Sequence, residues 1–310
     1  MAEAPGKVII TGEHFVVHGG MALAAAINRT TRAEASFSNR LQVETTLERR
    51  APASRHSPPL PLERLLREMY RERSREPRVR LRISSQLPSG AGLGSSAATM
   101  VSAVAAVSRL EGWNFDATSI IETAMAGERL IHGRPSGIDA TVSALGGVIQ
   151  FSLGQEPKKV DLPTKTRFLV AYSGKRRNSG KLIHKVSSMR SVHPNLFDRL
   201  CENATRVSEE ATEKLTSGKL EDLGGLMTWN HAVLGMVGAS NPMLDSLVDL
   251  CLSCGCYGAK LTGAGGGGSV LALPSQDDDT ALACVGKQGF PSFMTEIPCG
   301  GVRVWTNEGA

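Results

Sequence analysis

The stretch that decides the fold reads PSGAGLGSSAA at residues 88–98 and leads directly into an apolar, alanine-rich segment. Glycine backbone can curl so that successive N–H groups face one point, and the start of a following helix adds partial positive charge. Ser95 and Ser96 lie where that helix would begin, and their hydroxyls can cap it or reach a metal bound to phosphate. The pattern predicts a phosphate-binding loop. The alternative is a flexible linker or an ordinary capped turn, but a linker would not lead into a core helix.

This loop differs from the two commonest nucleotide-binding loops. Every Gly-Lys pair in the chain is followed by a residue other than Ser or Thr, which excludes a Walker A loop. The Rossmann spacing does not fit either, since no acidic residue ends a second strand at the required place. If the chain binds a nucleotide, it does so in a different fold.

Predicted strands and helices follow one another irregularly around the loop. Strands are predicted at residues 7–10, 79–83, 168–172 and 270–273. Helices are predicted at residues 62–69, 96–110, 117–131, 195–215, 222–236 and 243–251. The irregular order favours an α+β fold over a doubly wound sheet. A boundary near Lys165 would give two domains, residues 1–165 and 166–310.

Two carboxylates and a second glycine run complete the candidate site. Glu128 ends a predicted helix, and Asp139 follows the turn at residues 133–137. A carboxylate beside a phosphate loop needs a divalent metal or a lysine nearby, because like charges repel. The spacing alone also fits two ordinary surface carboxylates. The glycine run at residues 263–268 is equally well explained by a hairpin or a bulge.

The charge distribution argues against a polyanionic partner. The net charge is +5, but residues 40–82 alone hold twelve Arg, six Glu and no Lys, so the rest of the chain is close to neutral. The helix predicted at residues 62–69 interleaves Arg with Glu on its polar face, which is typical of a solvated, ion-paired surface. No aromatic residues alternate with these arginines to stack on bases. We therefore expect no nucleic-acid partner.

The cysteines and the apolar stretches help to predict the cellular compartment of the protein. The six cysteines are Cys201, Cys251, Cys254, Cys256, Cys284 and Cys299. Their spacing does not supply the four ligands of a structural zinc site, so we expect reduced, partly buried thiols. The start of the sequence lacks a secretory signal, and residues 97–107 are too few to span a bilayer. We expect a cytoplasmic protein with no membrane partner; a peroxisome-like organelle is the alternative.

Three motifs together identify a resemblance. They read APGKVIITGEH at residues 4–14, PSGAGLGSSAA at 88–98 and KLTGAGGGG at 260–268. In this order they resemble the GHMP small-molecule kinases. Within that family, GERLIHG at residues 127–133 and SGID at 136–139 are most similar to the branch that phosphorylates mevalonate, a hydroxy acid whose phosphorylated product feeds isoprenoid and sterol synthesis.

The resemblance implies a fold and the positions of ATP and Mg²⁺. It implies an N-terminal domain like ribosomal protein S5, a ferredoxin-like C-terminal domain, and ATP in the cleft between them. The ATP phosphates would lie over Pro88, Gly90, Ala91, Gly92, Leu93, Gly94, Ser95 and Ser96. Ser96 and Glu128 would hold Mg²⁺. Asp139 would face the substrate hydroxyl with Lys7 beside it, as the catalytic pair.

The resemblance also implies further contacts to the substrate. Glu13 and His14 match family positions near it. Arg177 is the candidate for the substrate carboxylate, because a guanidinium binds a carboxylate with two parallel hydrogen bonds; the alternative is a surface arginine in a loop. Polar groups at Ser179, Thr262 and Gly263 would line the pocket. Members of this family are often dimers, which leaves a homodimer open.

Other functions stay open on the sequence alone. A kinase of this family could act on phosphomevalonate, homoserine or a sugar, and a phosphorylated substrate would require additional Lys or Arg around the pocket. From a different class, the chain could be an inactive nucleotide sensor or a nucleic-acid binder. An inactive site should have lost catalytic groups, yet Lys7, Ser96, Glu128 and Asp139 are all present.

Overall fold

A computed structural model of the chain describes residues 1–45, 60–133, 135–175 and 179–306. The strands within these ranges are β1 (Ala2–Thr11), β2 (Met21–Phe37), β3 (Gln42–Thr45), β4 (Val79–Ser85), β5 (Val148–Ser152), β6 (Lys158–Val160), β7 (Thr166–Tyr172), β8 (Cys256–Thr262), β9 (Ser269–Pro274), β10 (Ser292–Ile297) and β11 (Arg303–Val304). The helices are α1 (Pro61–Arg71), α2 (Ser95–Glu111), α3 (Ala117–His132), α4 (Ile138–Leu145), α5 (Ser179–Val192), α6 (Pro194–Thr216), α7 (Leu220–Met236), α8 (Pro242–Ser253) and α9 (Thr280–Lys287), with a short 3-10 helix at Phe15–His18.

The first sheet is built on the long strand β2. Its strand order is β11-β1-β2-β4-β3, with β5 paired to the first part of β2 and β6 paired to β5. Every residue from 97 to 108 of α2 is buried, because the helix lies between this sheet and its neighbours α3 and α4. An alanine-rich sequence suits that position, since small side chains allow helix and sheet to approach closely.

The second sheet has the strand order β10-β7-β9-β8, and its pairs are antiparallel. In chain order, β7, β8, β9 and β10 are the first, second, third and fourth strands of one unit, and helices follow β7 and β9. The spatial order is therefore fourth, first, third, second, which is the split βαβ arrangement of ferredoxin-like domains. This confirms the predicted α+β class and the ferredoxin-like second half.

The two sheets share apolar packing. Phe168 of β7 and Leu271 of β9 belong to the same buried cluster as Ile10 and Leu23 of the first sheet. Residues near the end of the described chain also return to the first sheet, where Val304 of β11 pairs with Ala2 of β1. The boundary near Lys165 stays a prediction.

Helix α1 confirms the amphipathic pattern read from the sequence. Leu62, Leu65, Leu66 and Met69 are buried, and the arginines and glutamates between them lie on the other face. Within the described part of the chain, no helix is both long enough and apolar enough to cross a bilayer.

The expectation of six reduced thiols is wrong for two cysteines. Cys254, just after α8, forms a disulfide with Cys284 of α9, 30 residues further along the chain. The spacing of the cysteines in the sequence does not predict this disulfide, because only the packing of α8 beside α9 brings the two residues together. Cys251 and Cys256 are buried thiols, and burial raises their pKa to about 12 and about 11.

Candidate active site

A cavity of about 320 Å³ lies where β1, the start of α4 and the glycine loop after β8 meet. Its titratable lining residues are Lys7, Glu13, His14, His18, Glu128 and Asp139. Its apolar wall includes Ile9, Val16, Val17, Met125 and Ile138. Five residues predicted from separate sequence motifs therefore face one space: Lys7, Glu13, His14, Glu128 and Asp139.

Lys7, in the first motif, contacts residues of two other predicted segments: Asp139 and the glycine loop at residues 88–98. Its side chain is almost fully buried, and its Nζ lies 3.2 Å from Oδ1 of Asp139, which is one-quarter exposed. The same ammonium donates a hydrogen bond to the carbonyl oxygen of Gly92, at 3.4 Å. A buried ammonium is costly unless it is paired, and Asp139 is the charged partner of Lys7.

The predicted phosphate loop connects β4 to α2. Gly90, Gly92 and Gly94 have φ of +74°, +88° and +72°, a region that favours glycine. A Cβ on Gly94 would lie 3.0 Å from Cγ of Lys7, so glycine also allows the loop to pack on that side chain. The backbone N–H of Lys7 donates to the carbonyl of Leu93, at 2.9 Å.

Of the other residues of the glycine loop, some are buried in the core and some are partly exposed. Ala91 and Leu93 are buried in the core of the first sheet, whereas Pro88, Ser95 and Ser96 are partly exposed. The loop residues do not line the 320 Å³ cavity themselves. They adjoin it through the contacts of Lys7 with Gly92 and of Ser96 with Glu128. The loop-to-helix geometry matches the sequence expectation, and phosphate binding stays a prediction.

Ser96 and Glu128 are neighbours in space, as the metal-site hypothesis requires. The hydroxyl of Ser96, in the first turn of α2, donates to the Glu128 carboxylate of α3. Hydroxyl and carboxylate oxygens are hard ligands that suit Mg²⁺, which usually takes few protein ligands and shares the remainder with phosphate and water. Among the described residues there is no group of three His, Cys, Asp or Glu side chains arranged for a metal. The donor set therefore fits Mg²⁺ held jointly with phosphates.

Glu13 forms a buried ion pair with Lys260 of β8. Lys260 also donates to the carbonyl oxygens of Ile9, at 3.3 Å, and Leu261, at 2.6 Å. Burial raises the pKa of Glu13 and lowers that of Lys260, and in each case the opposite charge of the partner counteracts the shift. Glu13 lines the cavity, whereas Lys260 lies behind it and binds its carboxylate.

The remaining predicted substrate residues have different surroundings. Nε2 of His14 lies 2.8 Å from the carbonyl of Ala264, so this nitrogen carries the proton and donates it. Gly263 lines the cavity. Thr262 does not line it: its buried hydroxyl accepts from the N–H of Ile9, at 2.9 Å, and lies 3.3 Å from the Ile9 carbonyl. Its role as a substrate ligand stays a prediction.

Two predicted substrate residues cannot be placed. Arg177 lies outside the described residues. The backbone of Ser179 begins α5, but its side chain is likewise outside the described part. Both stay predictions.

A larger cleft of about 550 Å³ lies elsewhere, between β7, the start of α7 and the end of β9. None of the predicted site residues that the structure describes lines it. Two of its cations are already paired: Lys165 with Glu296 at 3.3 Å, and Arg167 with Asp277 at 3.4 Å. The smaller cavity, with its converging charged groups, is therefore the candidate active site.

Comparison with protein families agrees with this geometry. Residues 62–147 match the model described as GHMP kinases N terminal domain, and residues 210–290 match GHMP kinases C terminal. The chain belongs to the GHMP kinase family. A galactokinase galactose-binding signature also matches residues 1–37. The matches to both domain models confirm the expected two-domain GHMP kinase fold.

Curated relatives of this GHMP kinase match along nearly the whole chain. The mevalonate kinase of Thermococcus gammatolerans is 36% identical, and the alignment covers 98% of each chain. The mevalonate kinase of Aeropyrum pernix is 34% identical over 98% of this chain and 97% of the relative. Among solved structures, the L. major mevalonate kinase in complex with R-mevalonate superposes with a TM-score of 0.84, at 28% identity and 96% coverage of both chains.

Two buried residues of this GHMP kinase were missed by sequence reasoning. In the sequence, Lys260 is the first residue of the third motif, and no functional role was assigned to it. A lysine in an otherwise apolar strand nevertheless indicates a buried partner. Asn230 of α7 accepts a hydrogen bond from the N–H of Gly12, at 3.3 Å, and so holds the turn that carries Glu13. No sequence pattern distinguishes Asn230 from the other polar residues of α7.

Proposed function

We propose that this chain is a mevalonate kinase, which transfers the γ-phosphoryl group of ATP to the C5 hydroxyl of (R)-mevalonate and releases ADP and 5-phosphomevalonate. One observation carries the proposal: the Lys7–Asp139 pair lies in a cavity beside a glycine loop that opens a helix. Identity of 36% to a mevalonate kinase over 98% of the chain supports the choice of substrate. The product would enter isoprenoid synthesis and, through it, sterol synthesis.

In this proposal Asp139 acts on the substrate hydroxyl. Its carboxylate accepts the hydrogen bond of the C5 hydroxyl and orients the oxygen towards the γ-phosphate. The ammonium of Lys7 lies 3.2 Å from this carboxylate and stabilises negative charge that develops on the hydroxyl oxygen. Phosphoryl transfer depends mainly on positioning and charge neutralisation, so a fixed ion pair suits it.

The glycine loop and the Ser96–Glu128 pair would bind the phosphates and the metal. Backbone N–H groups of the loop and the start of α2 would face the phosphates of ATP. Ser96 and Glu128 would hold Mg²⁺, which neutralises charge on the phosphate oxygens when bound. The side chain of Ser96 is already oriented towards Glu128 by their hydrogen bond.

The remaining lining groups suit a small hydroxy acid. We assign the methyl and methylene groups of mevalonate to the wall formed by Val16, Val17, Met125 and Ile138. His14 and Gly263 would contact its polar groups, with Ser179 and Thr262 as further candidates and Arg177 as the partner of the carboxylate. Among the described lining residues, Lys7 is the one lysine or arginine, so the substrate panel below includes phosphomevalonate as a direct test.

Galactose phosphorylation is the second candidate, because the galactokinase signature matches residues 1–37. The deciding experiment measures ADP release by the purified protein with Mg-ATP and each of (R)-mevalonate, phosphomevalonate, homoserine and galactose. We expect turnover with mevalonate at the highest kcat/KM. Turnover with galactose alone would favour the second candidate, and no turnover with mevalonate would overturn the proposal.

A cytoplasmic location and a homodimer are further proposals that rest on the sequence alone. Light scattering on the purified protein tests the assembly: a mass near twice that of one chain is expected. Fractionation of source cells tests the location, with the protein expected in the cytoplasmic fraction.

A further inference from the structure

We propose that Lys260 is a positioning residue of this site: it holds the Glu13 carboxylate oriented so that the second oxygen of Glu13 accepts a hydrogen bond from a substrate hydroxyl. The inference rests on the proposed function and assigns Glu13 to the C3 hydroxyl of mevalonate, since Asp139 is assigned to the C5 hydroxyl. Nothing in the mechanism above uses Lys260, which does not line the cavity.

The two oxygens of Glu13 have different surroundings. Oε1 is bound by the ammonium of Lys260. Oε2 is buried and has no hydrogen-bond partner among the described residues, although Glu13 lines the cavity. A buried carboxylate oxygen without a partner is costly, so it indicates a donor supplied by something that enters the cavity.

The arrangement of Lys260 fixes the direction of Glu13. Besides Glu13, its Nζ contacts the carbonyl oxygens of Ile9 and Leu261, so three acceptors surround the ammonium. An ammonium has three donors and no acceptor, and this set satisfies all of them. Lys260 is therefore held by the backbone of β1 and β8 and in turn fixes one oxygen of Glu13, while the other oxygen is buried without a partner among the described residues.

Two carboxylates that line the cavity are each bound by a lysine. Lys7 pairs with Asp139, and Lys260 pairs with Glu13. Each lysine binds one carboxylate of a residue that lines the cavity, and an ionised carboxylate is an acceptor only. Two acceptors of this kind match two hydroxyl groups on one small substrate. Hydrogen bonds to charged groups contribute about 1.5–3 kcal/mol each.

The test compares (R)-mevalonate with 5-hydroxy-3-methylpentanoate, which lacks the C3 hydroxyl. The proteins are wild type, Lys260→Met, Glu13→Gln and the double variant, with Lys287→Met on exposed α9 as the matched control. We expect Lys260→Met to lower kcat/KM for mevalonate by roughly 10- to 100-fold, the loss of one charged hydrogen bond. For the analogue the loss should stay within about threefold, because the analogue does not make that bond.

Double substitution separates positioning from folding. If Lys260 acts only through Glu13, adding Lys260→Met to Glu13→Gln changes kcat/KM for mevalonate little further. The double variant also removes both buried charges, so it should fold even where Lys260→Met alone does not. Glu13→Gln and the double variant should then both lose the preference for mevalonate over the analogue.

Three results would overturn the inference. The first is an equal loss for both substrates in Lys260→Met, since that indicates a purely structural lysine. The second is an additive loss in the double variant. The third is a Glu13→Gln enzyme that keeps the wild-type preference for mevalonate. Absence of mevalonate turnover in the wild-type protein is a different outcome, because it contradicts the proposed function itself.

Discussion

Single residues of the site act in pairs. Lys7 is buried beside Asp139, and Ser96 donates to Glu128, so each functional side chain is oriented by another. Such coupling means that the loss of one member leaves the other uncompensated in a partly buried environment. Substitutions at either member of a pair should therefore have similar consequences for turnover.

Glu128→Gln tests the metal assignment at the scale of one residue. The substitution keeps the size of the side chain and removes its charge, so Mg²⁺ should bind more weakly. We expect the Mg²⁺ concentration for half-maximal activity to rise at least about tenfold and kcat to fall by about 10²-fold. Titration of activity with Mg²⁺ at fixed ATP measures both. Glu122→Gln, on an exposed turn of the same helix, is the control and should keep the wild-type Mg²⁺ requirement. An unchanged Mg²⁺ requirement in Glu128→Gln would contradict the assignment of Glu128 to the metal.

Gly94→Ala tests how the glycine loop supports Lys7. The added Cβ would meet Cγ of Lys7 at 3.0 Å, and φ of +72° would cost a further 1–2 kcal/mol or so. We expect kcat/KM to fall by about tenfold or more, together with a lower melting temperature.

Gly112→Ala provides the matched control for this loop. Gly112 ends the same helix with φ of +69°, but an added Cβ there meets nothing within 4 Å. It should show the same loss of stability with normal kcat/KM. Equal activity losses in Gly94→Ala and Gly112→Ala would show that backbone strain, and not the contact with Lys7, is responsible.

At the scale of elements, the Cys254–Cys284 disulfide connects the end of α8 to α9. A cross-link that closes a loop of this length stabilises a fold by about 3.5 kcal/mol in the chain-entropy model. We expect Cys284→Ser to lower the free energy of unfolding by roughly that amount and to leave kcat unchanged, because α9 is away from the cavity. Urea unfolding with and without a reductant measures this.

Cys299→Ser is the control for the disulfide, since Cys299 is a free thiol. Reductant should bring the stability of wild type down to that of Cys284→Ser and should not affect Cys284→Ser itself. If reductant leaves wild type unchanged, the pair does not form a disulfide under the conditions of the assay.

Helices whose apolar residues recur at a regular spacing could be predicted from the sequence, and other elements could not. The i, i+3, i+4 spacing of Leu62, Leu65 and Leu66 indicated α1, and the apolar run after Ser96 indicated α2. Strand β2 was missed over its full length, because its first half is buried on both faces and its alanines resemble a helix. The Glu13–Lys260 pair was also missed, since it joins residues 247 positions apart that only the fold brings together.

At the scale of the whole molecule, the two sheets meet at β1 and β8. Thr262 and Lys260 of β8 both bind the backbone of Ile9 in β1, the strand that carries Lys7. These contacts fix the position of the Lys7–Asp139 pair relative to the glycine loop after β8. The motifs that sequence analysis found at three distant positions are therefore parts of one junction between the two sheets.

Thr262→Val tests this junction. The substitution keeps the shape of the side chain and removes the hydroxyl, which leaves a buried Ile9 amide without its acceptor. We expect the free energy of unfolding to fall by about 1–3 kcal/mol, and a KM for mevalonate that rises as well would support Thr262 as a further substrate contact. Chemical denaturation and steady-state kinetics check the two quantities. A raised KM with unchanged stability would indicate that Thr262 contacts the substrate and does not stabilise the junction.

The central claim is that the Lys7–Asp139 pair performs phosphoryl transfer to mevalonate. The most direct measurement is kcat for ADP release with (R)-mevalonate and Mg-ATP in wild type, Asp139→Asn and the exposed control Asp161→Asn. We expect turnover in wild type and in Asp161→Asn, and a kcat lower by about 10²–10³-fold or more in Asp139→Asn, because the charged acceptor beside Lys7 is lost. Wild-type turnover in Asp139→Asn would contradict the claim.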